Sequence, residues 1–440
     1  MKSRTWMWMI VVSLFAALAT PIGLTAQDQE PNKKHARYSV KTLGTLGGTS
    51  SYAAGINNKG WVTGYASLTG DTVVHASLWR NGVITDLGTL GGVNSNAFYP
   101  VKNDRGLIAG FAQTTTVDPL GETVCTFGVP DSHQTCLGFL WEHGVMTPLA
   151  TLGGNNSGAT GVNNRGQIVG GAENSTHDPN CIPPQVLDYE AVIWGPKKGE
   201  IHELPAFSGD SVAIGFAIND NGQAVGESGS CGSGPGTGPI YIHALLWQNG
   251  SVTDLGNLGG VLNNLANAIN DRGQVVGGSD LPGDTTGHAF LWTKHNGMQD
   301  LGTLPGDFSS FANGINNEGQ VVGQSCDISG NCRAFLWQNG VMTDINTLIT
   351  TGSSLYLVSG NDINDGGAIV GQAFDQSSGD SPGFLATPCD GDRKDDGGCE
   401  DGAEGTIGAD SATSERPNIT LPENVRNLLN QRRGFGRVGR

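Results

Sequence analysis

Charge is scarce in this sequence. Asp, Glu, Lys and Arg make up 15% of the 440 residues, and aromatic residues 7%. Basic side chains are outnumbered, 24 against 41, for a net charge of −17. The basic face of a nucleic-acid-binding module is therefore missing, and no nucleic-acid partner is expected. Long apolar runs are also missing. The longest, residues 6–18, is too short for an ordinary membrane span. None of the eight cysteines stands in a CxxC pair, which argues against a structural zinc site and leaves no metal expected. No GxSxG or HExxH motif occurs, so neither a hydrolase elbow nor a zincin helix is written in the chain. With 37% apolar residues at this low charge, wholesale disorder is excluded too.

Glycine is abundant, at 69 residues, which suits an all-β chain rich in turns. Residues 1–26 read as a secretory signal: Lys2 and Arg4 precede the short apolar run, and Ala26 offers a cleavage point before Gln27. Residues 27–37 follow as a linker, and no membrane span is expected after the signal is removed. A secreted or periplasmic protein is therefore expected. Cys125, Cys136, Cys181, Cys231, Cys326, Cys332, Cys389 and Cys399 all fall in the exported part, and an even count there predicts disulfides. Cys125/Cys136, Cys326/Cys332 and Cys389/Cys399 are close in sequence, which leaves Cys181/Cys231 as the long-range pair.

The strongest signal is repetition. The segment 55–64, GINNKGWVTG, returns in varied form near residues 101, 162, 218, 269, 315 and 363. Its Asn recurs as Asn57, Asn103, Asn163, Asn219, Asn270, Asn316 and Asn364, at steps of 46, 60, 56, 51, 46 and 48 residues. Between copies stand an HAFLW-like segment ending in Trp79, Trp141, Trp194, Trp247, Trp292 or Trp337, and an LGTLGG-like segment. This period, with short strands and glycine turns, predicts propeller blades of four strands, A to D. The Asn-Asn/Asp-x-Gly stretch is the A–B turn, and Asn-Gly pairs such as Asn81-Gly82 form the C–D turn. LGTLGG reads as a strand end and turn, not a phosphate loop. One LGTLGG precedes the first A strand and the last unit lacks a D strand. Residues 38–43 are therefore expected to close the last blade, giving a seven-bladed propeller over 38–387 followed by an acidic tail, 388–440, with a short helix near 421–433.

GINxxGQVVG, HAFLW and QNGVMTDLGTLGG together resemble the HAF-repeat family of predicted extracellular bacterial proteins, over about residues 38–386. The resemblance implies secretion and a repeat fold, and carries no catalytic residues or cofactor with it. His-Ala-Phe itself is intact only at His288, while His75 and His243 keep the His. Three of seven cannot make a metal ring, so these histidines read as structural.

Alternation of antiparallel strands puts the short A–B and C–D turns on one face, and the long, dissimilar B–C loops with the D–A connections on the other. Six cysteines fall at the B–C loops. That face is the expected binding surface, for an extracellular protein, a polysaccharide or an envelope component. Asp210 and Asp307, in D–A connections three blades apart, are the weak site candidates. No catalytic residue is assigned. The expected function is a non-catalytic binding or interaction module; the alternatives are an extracellular polysaccharide hydrolase or lyase, or a structural surface protein.

Overall fold

The computed structural model describes residues 37–99, 103–122, 133–181, 183, 185–231, 240–349, 353–389, 419–423 and 425–426. The expected signal and linker up to residue 36, Cys125, Cys399 and most of the tail lie outside the described residues.

Seven four-stranded antiparallel sheets form a ring, a seven-bladed β-propeller. Blade 1 is β2 (Gly47–Ile56), β3 (Val62–Leu68), β4 (Val74–Arg80) and β5 (Val83–Asp86). Blades 2 to 6 follow at 91–148, 153–203, 212–254, 264–300 and 309–344. Blade 7 is β26 (Leu355–Ile363), β27 (Ile369–Asp375) and β28 (Gly383–Pro388), completed by β1 (Tyr38–Thr42). The first strand thus closes the last blade as expected, in register from Tyr38↔Pro388 to Thr42↔Phe384. Tyr38 is buried with Leu348, Leu357 and Phe384, so closure is a packed core as well as a strand pairing.

The C–D hairpins follow from their sequence. Asn81-Gly82, His143-Gly144, Asn249-Gly250 and Asn339-Gly340 all have positive φ at both residues, which matches the twist of the flanking strands. The tryptophans of strand C pack between blades. Trp79 lies against Val370 and Leu385 of blade 7, and its Nε1 donates to the Gly44 carbonyl at 2.9 Å. Trp194 and Trp247 donate likewise to the carbonyls of Ala150 and Pro205.

The inner strand is longer than the turn reading of LGTLGG implied. In blades 1 to 3 its two glycines open strand A, because Gly47, Gly91 and Gly153 pair with Leu68, Thr114 and Asn174 on strands B that also run on. A bulge then recurs at one place in six inner strands, between Ala53/Gly55, Ala159/Gly161, Gly215/Ala217, Ala266/Ala268, Ala312/Gly314 and Gly360/Asp362. This explains the last glycine of the repeat. A Cβ on Gly64 would sit 1.8 Å from the Tyr52 carbonyl oxygen, and one on Gly226 2.0 Å from that of Ile214. No side chain fits there.

Of the tail, the described part seats on the loop face. Leu421 and Val425 are buried against Tyr356, Val358 and the Cys326–Cys332 pair, and Leu421 N donates to Asn331 Oδ1 at 2.9 Å. Glu423, Val425 and Arg426 begin the expected helix; its remainder lies outside the described residues.

Candidate functional site

Two openings lie on the propeller axis. The wider, about 290 Å³, is ringed by the A–B turns. There each repeat Asn does two jobs. Its Oδ1 accepts from its own turn, as Asn57 does from the backbone N–H groups of Lys59 and Trp61. Its Nδ2 donates to the carbonyl of the equivalent Asn one blade on. These bonds run Asn57 to Asn103, Asn163, Asn219, Asn270, Asn316, Asn364 and back to Asn57, at 2.7–3.1 Å. The next residues form a second ring. The N–H of Asn58 donates to Asp104 Oδ1, and so on through Asn164, Asp220, Asp271, Asn317 and Asp365 back to Asn58. Amide side chains take up the second carboxylate oxygens, as Asn164 Nδ2 does for Asp220 at 2.8 Å. Both rings are internally satisfied. Their regularity is that of a fastening that holds blade to blade. The sequence reading gave these residues to turn chemistry alone.

The other opening lies toward the loop face, five residues up the inner strands. It is a shallow recess of about 40 Å³, and a second recess of about 50 Å³, lined by blades 5 and 6, shares Phe311 with it. Its floor is aromatic: Tyr52 stacks on Phe98 and on Tyr65, each with ring centroids 5.2 Å apart, and Phe98 meets Tyr99 edge-on. Phe98 and Phe311 are half-buried, so part of each ring is open. Gly278 makes room for Phe311, since a Cβ there would lie 2.4 Å from the ring. Asn267, Asn313, Gln324 and Asn361 bring amides to the walls. The inner-strand carbonyls take part of their donor capacity, as Asn267 Nδ2 donates to Asn313 O at 2.8 Å. Among the B–C loops and D–A connections, Val93, Leu120, Val261, Phe308 and Ile328 are exposed apolar residues.

Disulfides brace the loops here. Cys181–Cys231 joins the B–C loops of blades 3 and 4, and Cys326–Cys332 closes that of blade 6. Both pairings are those expected from sequence. Cys136 and Cys389 are also disulfide-bonded, while their expected partners lie outside the described residues. Asp188 Oδ1 is 4.0 Å from Cys181 Sγ. With both sulfurs tied to each other, this group offers a metal no thiolate.

Asp210 and Asp307 precede blades 4 and 6, two blades apart rather than three. Each side chain is buried against a histidine or an arginine of its own blade. Asp210 Oδ2 is 2.8 Å from His243 Nδ1 and also accepts from Ser228 Oγ, and Asp307 Oδ2 is 2.9 Å from Arg333 Nη2. His75 and His288 pair instead with Asp86 and Asp300 of strand D, at 2.9 and 3.0 Å. The histidines of the HAFLW segment are thus held by carboxylates, in agreement with a structural role. Arg333 takes the equivalent place in blade 6 and also reaches Asp344 at 3.1 Å. Among the described residues, no helix is long and apolar enough to cross a membrane.

Residues 206–392, which span blades 4 to 7, match the family described as protein of unknown function (DUF3466). No curated protein matches the chain. Among solved structures, the acylaminoacyl peptidase of Pyrococcus horikoshii aligns with 77% of this chain at 11% identity and a TM-score of 0.44; the chain spans about half, 52%, of that peptidase. An arginine-substituted triple mutant of AofleA from Arthrobotrys oligospora aligns with 70% of this chain and 88% of its own, at 10% identity and a TM-score of 0.30. SapL1 lectin in complex with alpha methyl fucoside aligns with 67% and 96%, at 11% identity and a TM-score of 0.25.

Proposed function

We propose that this protein is a non-catalytic binding module that works outside the cytoplasm. Its working surface is the face of the B–C loops and D–A connections, and its partner is an extracellular polysaccharide seated over the aromatic recess. The recess carries this reading. Half-open Phe98 and Phe311 rings beside side-chain amides offer the apolar faces and the hydrogen-bonding groups that a sugar ring requires. The disulfide-braced loops around it support the reading, because a preordered rim lowers the entropy cost of binding. Disulfides at every described cysteine suit an oxidising compartment. Asp307 is engaged by Arg333, which suits a structural carboxylate there.

Incubation with a panel of bacterial and plant polysaccharides tests this, following both depletion of protein from solution and release of new reducing or unsaturated ends. The expected result is depletion without product, weakened about tenfold or more in Phe311→Ala, a change that removes the exposed ring. Product release would sink the non-catalytic reading. Absence of both signals would favour a protein or envelope partner, or a structural role.

A further inference from the structure

The two faces of the propeller differ in charge. The seven B–C loops and the seven D–A connections together hold no lysine or arginine. They hold ten aspartates and glutamates, eight of them in the B–C loops. Asp71 is exposed, and Asp178, Asp284, Asp327 and Asp380 are half-buried, each in the loop of a different blade. Asp375, the last residue of β27, stands half-buried at the start of the blade 7 loop. Lysines and arginines gather instead in the turns of the opposite face, as Lys59, Arg165, Arg272 and Lys294 do. Hydrogen bonds hold two of the loop-face carboxyls below the usual carboxylate range. The Ser67 hydroxyl and then the Thr49 N–H donate to Asp71, and the hydroxyl and N–H of Ser377 donate to Asp375.

The tail is anchored on this face. Leu421 and Val425, each 1% exposed, are buried with Tyr356 and Val358, and Phe374, the chain neighbour of Asp375, packs against the same cluster. The segment also grips the B–C loop of blade 6. Leu421 N donates to Asn331 Oδ1 at 2.9 Å, and Arg426 Nη1 donates to the Ser329 carbonyl at 3.2 Å. Arg426 N donates to the Pro422 carbonyl at 3.0 Å, which closes one helical turn. The sequence changes sign at this anchor. From Asp390 to Glu423 the tail is predominantly acidic. After Glu423 it holds Arg426, Arg432, Arg433, Arg437 and Arg440, and no acidic side chain.

Complementary charge steers two surfaces together, and an anchor makes their encounter intramolecular. Residues 427–440 can reach up to roughly 45 Å from the anchor. Packed sheets lie only about 10 Å apart, so the loops of blades 5 to 7 are within that reach. We infer that the loop face is a docking surface for a cationic segment, and that its occupant is residues 427–440 of the same chain, with the arginines set against Asp284, Asp375 and Asp380. Arginine suits the task, because its fork of donors matches a carboxylate and it stays charged. None of these three aspartates lines the aromatic recess, so the inference stands whether or not that recess binds sugar.

The test uses the full chain with its disulfides intact. Trypsin is added at about 20 mM and at about 500 mM sodium chloride, which separates screened from unscreened charge. Initial cleavage after Arg432 and Arg433 is followed by mass spectrometry, against a free synthetic peptide of residues 427–440. At low salt the chain should be cut about tenfold or more slowly than the peptide, and at high salt about as fast, because exposed charge pairs are weakened by screening. Asp284→Asn, Asp375→Asn and Asp380→Asn combined should abolish the protection. The first two keep an acceptor oxygen for the N–H groups of Val261, Leu262 and Ser377. Glu318→Gln, in an A–B turn of the opposite face, should leave the protection unchanged. Cleavage as fast as in the peptide at low salt, or protection that survives the triple variant, overturns the inference. So does protection that grows with protein concentration, for then a second copy supplies the segment. If the triple variant fails to fold, the salt dependence of the unaltered chain decides.

Discussion

The side-chain amide of Asn364 donates to the backbone carbonyl of Asn57 at 3.1 Å, across 307 residues of sequence, and so joins the last blade to the first. It is one of seven such bonds, and each of these asparagines also accepts within its own turn. An Asp at the first position could accept but not donate, and a Ser could not span both roles.

Asn364→Ala removes the donor and leaves the buried Asn57 carbonyl without it. The expected loss is about 1–3 kcal/mol in urea denaturation, with an unchanged m-value. Asn364→Asp should lose a similar amount. A loss below ~0.5 kcal/mol in both would mean that the ring contributes little to holding the blades.

Deleting β1 should do more. It removes Tyr38, 2% exposed in the core of blade 7, and exposes β28 as an edge. A chain beginning at Thr45 should be destabilised by more than about 4 kcal/mol, or be insoluble. An unchanged melting temperature would contradict closure by this strand.

Gly226→Ala places a Cβ 2.0 Å from the Ile214 carbonyl oxygen, at a bulge with no room to shift. The expected cost is about 2–4 kcal/mol. Gly250→Ala, where nothing lies within 4 Å, incurs only the strain of its φ of +76°. Chemical denaturation of both should rank them in that order; the reverse would show that the inner strand yields.

Glu227 is 2% exposed, and its side chain makes no hydrogen bond among the described residues; burial pushes its carboxyl well above the usual carboxylate range. The folded state therefore keeps a proton that the unfolded chain gives up. The corresponding stability is fully present below the unfolded value of 4.5 and declines as pH rises above it, by up to about 1.4 kcal/mol per pH unit. Glu227→Gln, which keeps the shape and cannot titrate, should flatten this decline and gain on wild type as pH rises from 5 to 8. Parallel stability curves for the two proteins would show that Glu227 carries no such proton.

Much of the architecture was legible because its determinants are local. Asn-Gly pairs with two positive φ values specify hairpins without reference to the rest of the chain. Counting strands then showed a missing D strand at one end and an unpaired strand at the other, which is enough to close the ring. The Cys181–Cys231 pairing followed by elimination, because the other six cysteines fall into three pairs close in sequence. The ring role of the asparagines left one trace. The first turn position is Asn in all seven copies, whereas the second is Asn in three and Asp in four. A turn alone would tolerate Asp at either.

Tertiary structure alone decided the rest, because the partners lie tens to hundreds of residues apart and no spacing encodes them. Asp210 and Asp307 looked alike after Gly209 and Gly306, yet one meets His243 and the other Arg333. Glu122 meets Glu173 only because a loop of blade 2 crosses onto blade 3. The sequence by itself determined the blades, since each hairpin forms from contiguous residues. Only the closed ring decided which side chains share a site, since that depends on how neighbouring blades pack and on loops whose paths no repeat dictates.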